Sequence, residues 1–253
     1  MSRTQVGIER DGTVAILRLN RPPVNAINLE FAAELEGAFT DLTASKEAQA
    51  IVFTGTGSCF SAGLDLKLVP RYGLDQQRAM VGAINRTIAQ LYACPLPVVG
   101  AVNGHAIAGG LVLALACDYR IGTTTSCQLG LTEARAGIPF PAAAMAVVQA
   151  ELAPAMARVM TLRAKNIGPE AALAGALLDE LQLPERVLPT AIEVARDLAS
   201  IPHDAYARIK RQLRLQAILR IDATLAAGAD PALDSWLSSD AASASAALLR
   251  GHS

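Results

Sequence analysis

Three short stretches carry residues that could do chemistry together: Ala62-Gly63-Leu64, Ala108-Gly109-Gly110 and the acid Glu133. A Gly/Ala-rich turn between a strand and a helix leaves backbone N–H groups without intrahelical acceptors, and the helix start adds partial positive charge. Gly109 and Gly110 can therefore offer donors to an oxygen that becomes negative. Having no side chains, they also let a ligand approach the main chain. The plainer reading of this pair is close helix-to-strand packing. A second Gly-containing turn lies upstream in Gly55-Thr-Gly-Ser-Cys-Phe-Ser-Ala-Gly-Leu-Asp-Leu-Lys. It follows a strand end, where open α/β sheets place ligands. Ala62-Gly63-Leu64 is the point of approach there, and Lys67 is near enough in sequence to meet an anionic part of the same ligand, or else is a solvated surface lysine.

Glu133 is the one acidic residue between Asp118 and Glu151. In its apolar company a carboxylate would lose hydration, which raises its pKa and strengthens it as a proton acceptor. The competing reading pairs Glu133 with Arg135 or turns it to solvent at a helix start. Asp118 reads as a structural hydrogen-bonding residue. His105, beside the second turn, reads as packing or orientation.

The elements that must position these residues follow from pattern. Gln5 to Glu9 and Thr13 to Leu19 alternate around Asp11-Gly12, a hairpin signal. Arg21-Pro-Pro-Val-Asn-Ala-Ile-Asn breaks the pattern, and Asn28 can cap a helix with Phe31, Leu35, Ala38, Phe39 and Leu42 on its apolar face. Ala50 to Thr54 and Val98 to Val102 read as buried strands and 118–122 as another. Between them, 75–92 repeats apolar residues at helical spacing before Cys94-Pro. A hairpin, a helix and further buried strands imply a mixed sheet with helical crossovers. Beyond Pro139 the spacing predicts helices over 142–152, 154–164, 169–176, 188–200 and 205–219, followed by an Ala-rich end biased to Ala and Ser over 240–247. Helices that cannot bury every apolar stripe predict packing on a neighbouring subunit.

Composition narrows the class. With 52% hydrophobic but only 4% aromatic residues, the core must be built from Ala, Val, Leu and Ile. A formal charge of -1 gives no basic footprint for nucleic acid and no polybasic membrane patch. No apolar run reaches the roughly 18 to 20 residues that span a bilayer. The start lacks the apolar region of a secretory signal, so a cytoplasmic protein is expected. Cys59, Cys94, Cys117 and Cys127 lack metal-type spacing and read as buried free thiols, so no metal is expected.

Over nearly its whole length the chain resembles the crotonase, or enoyl-CoA hydratase/isomerase, superfamily. The marks are Arg21-Pro-Pro-Val-Asn-Ala-Ile-Asn, Phe60-Ser-Ala-Gly-Leu-Asp-Leu-Lys, Ala101-Val-Asn-Gly-His-Ala-Ile-Ala-Gly-Gly, Ala116-Cys-Asp-Tyr-Arg and Gly130-Leu-Thr-Glu-Ala-Arg-Ala-Gly-Ile-Pro. The resemblance implies an α/β fold: a crotonase-like spiral of ββα units over 1–195, then a C-terminal helical trimerisation region over 196–253. It implies an acyl-CoA thioester as substrate, with CoA part of that substrate rather than a cofactor, and a homotrimer or dimer of trimers. It makes the N–H groups of Leu64 and Gly109 an oxyanion hole. Ala62, Gly63, Asp65, Leu66 and Gly110 would contact the acyl-CoA, with Lys67 and Lys210 near its phosphates. Family hydratases carry a glutamate three residues after Gly109, where this chain has Val112. One base, Glu133, remains. The chain is most similar to Δ3,Δ2-enoyl-CoA isomerases of the mitochondrial type, which shift a double bond from C3 to C2. The alternatives are hydration, another acyl-CoA reaction such as thioester hydrolysis, or non-catalytic acyl-CoA binding.

Overall fold

The computed structural model describes residues 4–45, 47–228, 230–232 and 236. The chain opens with a hairpin, β1 (Val6–Asp11) and β2 (Val14–Leu19), then α1 (Leu29–Ala44). Asn28 starts α1 as expected, its side chain accepting the Phe31 N–H at 2.8 Å. The apolar face read from the sequence, Phe31, Leu35, Ala38, Phe39 and Leu42, is buried. Next come β3 (Ala50–Gly55), β4 (Cys59–Ser61), α2 (Leu74–Tyr92), β5 (Val98–Val102), β6 (His105–Ile107) and α3 (Gly109–Leu115). They are followed by β7 (Tyr119–Thr123), β8 (Leu129–Gly130), α4 (Glu133–Ala136), α5 (Ala142–Glu151), α6 (Pro154–Arg163) and α7 (Pro169–Ala174). The described chain closes with β9 (Glu180–Gln182), α8 (Pro184–Ala199) and α9 (His203–Ala227).

Among the described residues the strands form two sheets. The larger runs β1-β2-β3-β5-β7-β9 and is parallel except for the opening hairpin. The smaller, β4-β6-β8, is wholly parallel. From β3 onward each turn of the chain lays one strand in the large sheet and the next in the small one before a helix leads back. This is the expected spiral of ββα units.

The middle of the large sheet is covered on both faces, which is why β3 and β5 are buried along their whole length. On β3, Ile51 and Phe53 point into the cluster that includes α1, α2, α3 and α5, while Ala50 and Val52 point to Val187, Ala191 and Ala195 of α8. Phe53 stands edge-on to Phe39 of α1 and Phe60 of β4, with ring centroids 5.8 and 5.3 Å apart. Each such pair adds about 0.5–1.5 kcal/mol beyond area burial, and the second ties the two sheets together.

Several boundaries differ from the pattern-based ones. α8 begins four residues early because Pro184 is tolerated in a first turn, whose N–H has no intrahelical acceptor. α9 runs to Ala227 rather than Leu219. Residue 195 lies within α8, and the chain turns at 200–202. The Ala/Ser-rich stretch 240–247 lies outside the described residues. All four cysteines are free and buried.

Candidate active site

The small sheet assembles the site. Its three strands are parallel, so their C-terminal ends emerge side by side: β4 delivers Ala62-Gly63-Leu64, β6 delivers Ala108-Gly109, and β8 delivers Thr132-Glu133. Open parallel sheets place ligands at this edge.

The first two turns meet backbone to backbone. Gly63 has φ +74°, and a Cβ there would fall 2.8 Å from the Ile107 carbonyl oxygen and 2.9 Å from the Gly109 nitrogen. Only glycine fits on both counts. At Gly110 a Cβ would fall 2.1 Å from the Ser61 carbonyl oxygen. Gly63 and Gly110 thus hold the two turns together, as the packing reading supposed.

Ile27 bridges Leu64, the Ile27 N–H donating to Gly63 and the Asp65 N–H donating to Ile27. That pairing leaves the Leu64 N–H outside the ladder. The Ala108 N–H donates to Gly130 at 2.7 Å, joining the second turn to the third. Ala108 adopts φ +51°, a left-handed conformation rare for a residue with a Cβ. It directly precedes Gly109, whose N–H starts α3 and has no intrahelical acceptor.

A cavity of about 200 Å³ opens over these turns. Ala62, Leu64, Leu66, Gly109 and Glu133 line it, with Ala32 and Leu35 of α1, Ile84, Thr87 and Ile88 of α2, and Ala144 of α5. Among the described residues, Glu133 is the one ionisable side chain in that lining. It is 9% exposed, and its Oε2 has no hydrogen-bond partner. Burial pushes the carboxyl up to about 8, with a bond from its own backbone N–H acting the other way.

The competing reading of Glu133 does not hold. Arg135 turns away and donates to the carbonyls of Ala164 at 2.6 Å and Arg163 at 3.1 Å, closing the C-terminal end of α6. His105 is structural: its Nδ1 accepts the Gln128 N–H at 3.1 Å. Val112, three residues after Gly109, is fully buried.

Two of the residues expected to contact the ligand are engaged within the chain. Lys210 is buried, its ammonium 2.7 Å from Asp118 and 3.0 Å from the Leu96 carbonyl oxygen. It acts with Arg214, 3.0 Å from the same carboxylate, to fasten α9 to the start of β5. Asp65 does not line the cavity. Its carboxylate takes Arg21 at 2.7 Å and the Lys67 N–H at 3.0 Å, which shapes the loop after Leu64. Lys67 is exposed and lies outside the cavity lining.

Other positioning residues escaped the sequence reading. Asn25 is fully buried, its amide donating to Cys59 at 2.8 Å and Phe60 at 3.2 Å, and its own carbonyl accepts the Ser61 hydroxyl. It pins the strand that carries the first turn. Trp236, the one tryptophan in the chain, lines the cavity. No local sequence signal places it there.

A ββα spiral that sets two main-chain turns and a buried acid around one apolar cavity defines the crotonase class. The family model "Enoyl-CoA hydratase/isomerase" matches residues 9–239, and the chain belongs to that family. It is 42% identical over 122 residues to YngF of Bacillus subtilis, whose description places it provisionally among enoyl-CoA hydratases/isomerases; the match covers 47% of this chain and 46% of that one. It is 28% identical over 202 residues to the short-chain-enoyl-CoA hydratase of Clostridium acetobutylicum, covering 79% and 77%. The crystal structure of human mitochondrial Δ3-Δ2-enoyl-CoA isomerase superposes with a TM-score of 0.92 at 26% identity, covering 98% of this chain and 97% of that one.

Proposed function

We propose that the chain is a Δ3,Δ2-enoyl-CoA isomerase. The observation that carries this reading is that Glu133 is the single ionisable side chain among the described residues of a mostly apolar cavity. Hydration needs water to be held and deprotonated while another group supplies the α-carbon proton, and no second carboxylate lines the cavity among the described residues. A double-bond shift needs one base used twice.

In this mechanism the thioester oxygen of a 3-enoyl-CoA sits on the N–H groups of Leu64 and Gly109. The Glu133 carboxylate removes a proton from C2, and the electron pair delocalises into a dienolate whose charge rests on that oxygen. The neutral Glu133 then returns the proton to C4 as C2=C3 forms and the carbonyl is restored. Two preorganised donors suit this chemistry, since losing one such donor costs about 3–4 kcal/mol. A carboxyl poised near 8 suits it too, being strong enough as a base to take the proton and still able to hold it for return.

The assembly implied by the family is a homotrimer. In support, α6 and α9 expose apolar side chains, Leu162 at 76%, Ile209 at 62% and Leu213 at 84%. A cytoplasmic location is proposed, and no described helix is long and apolar enough to cross a membrane.

Hydration is the second reading, favoured by the similarity to the clostridial hydratase. Absorbance of the conjugated enoyl thioester separates the two. Addition of 3-enoyl-CoA should raise it; loss of signal from 2-enoyl-CoA, with no gain from 3-enoyl-CoA, would establish hydration instead.

A further inference from the structure

We infer that Trp236 is the residue that sets which acyl-chain lengths the cavity accepts, an inference that rests on the reading of this cavity as the acyl site. With the thioester oxygen at the Leu64 and Gly109 amides and the reacting carbons at Glu133, the rest of the chain must run along the apolar lining from α1, α2 and α5. Among the described residues, Trp236 is the largest side chain in that lining and its one aromatic ring. It is 6% exposed, and its indole N–H donates to the Pro139 carbonyl at 2.9 Å, which fixes the plane of the ring.

The position of Trp236 is secured by residues that also frame the cavity. Just beyond α9, Asp230 accepts from the Asn85 amide at 2.7 Å and the Ala142 N–H at 2.8 Å through one oxygen, and from the Ala232 N–H at 2.8 Å through the other. Asn85 in turn accepts the Ala143 N–H at 3.0 Å. Both anchor points adjoin the lining: Asn85 sits beside Ile84 on α2, and Ala142 and Ala143 sit between Pro141 and Ala144. The Trp236 N–H reaches back to the Ala232 carbonyl at 3.2 Å. The ring is therefore tied to the Pro139 carbonyl, and Asp230 and Ala232 before it are tied in turn to a buried carboxylate–amide pair. A braced wall sets length by exclusion, since each added methylene must either find space or displace the ring.

Affinity for saturated acyl-CoAs of four, eight and twelve carbons, measured by titration calorimetry, tests this without requiring any reaction. Trp236→Leu should raise the ratio of twelve-carbon to four-carbon affinity at least about tenfold, the scale of hydrophobic-pocket discrimination. Trp236→Phe, which keeps a ring but loses the bond to Pro139, should give a smaller rise. An unchanged ratio in both variants, each with a cooperative melting transition, would overturn the inference. Failure of the parent protein to bind any acyl-CoA would instead overturn the reading of the cavity itself. A parent that binds all three but catalyses no isomerisation leaves the ratio test intact.

Discussion

Glu133 is where burial and chemistry meet. Its carboxyl titrates near 4.5 when unfolded and near 8 in the fold. The folded state therefore holds a proton that the unfolded chain has already released, and stability falls as pH rises from about 4.5 to 8, by an amount on the order of a few kcal/mol. Glu133→Gln removes that penalty. Thermal melts should show the variant more stable than the parent at pH 9 and equal to it at pH 4; equal stability at both would mean the carboxyl is not desolvated. The same variant should keep its acyl-CoA affinity and lose roughly 10²- to 10⁴-fold in turnover. In the parent, kcat/KM should rise with pH through a midpoint near 8, because only the carboxylate can take the C2 proton. Composition around Glu133 suggested burial, but its freedom from Arg135 could not be read locally. The acceptors that claim Arg135 lie 28 and 29 residues further on.

At the scale of elements, long amphipathic segments declared themselves and short strands did not. α1 and α2 repeat apolar residues often enough to show a helical period. β4, β6 and β8 hold two or three residues each, too few for any alternation, and they exist because partners such as Cys59 and His105 meet across 46 positions. Yet these are the strands that bring the three site turns together. The engagement of Lys210 was illegible for a similar reason, since its partner Asp118 is 92 residues away. Asp118→Ala would leave Lys210 and Arg214 as buried cations and should cost about 3–5 kcal/mol in denaturant unfolding. Lys210→Met should lower the melting temperature while leaving free-CoA affinity unchanged. Weakened CoA binding at unchanged stability would restore Lys210 as a phosphate ligand.

For the whole molecule, the exposed apolar residues of α9 point to assembly. Light scattering should give a particle of about three times the 26.4 kDa chain, or twice that for a dimer of trimers. Leu213→Glu should shift it toward monomer, placing a charge where the subunits would meet. A stable monomer of the parent at micromolar concentration would reject the assembly. Exposure of this kind was foreseeable from stripes too wide for one core, whereas the return of Trp236 to the cavity was not. Nothing near Trp236 in sequence indicates that Pro139, 97 residues earlier, will hold its indole.

A crystal structure with a bound non-reacting acyl-CoA puts the central proposal to its most direct test. It should place the thioester oxygen within hydrogen-bond distance of both the Leu64 and Gly109 nitrogens, with the Glu133 carboxyl facing C2 and C4 from one side of the acyl plane. An oxygen bound elsewhere, or an acyl chain that never passes Glu133, would contradict it.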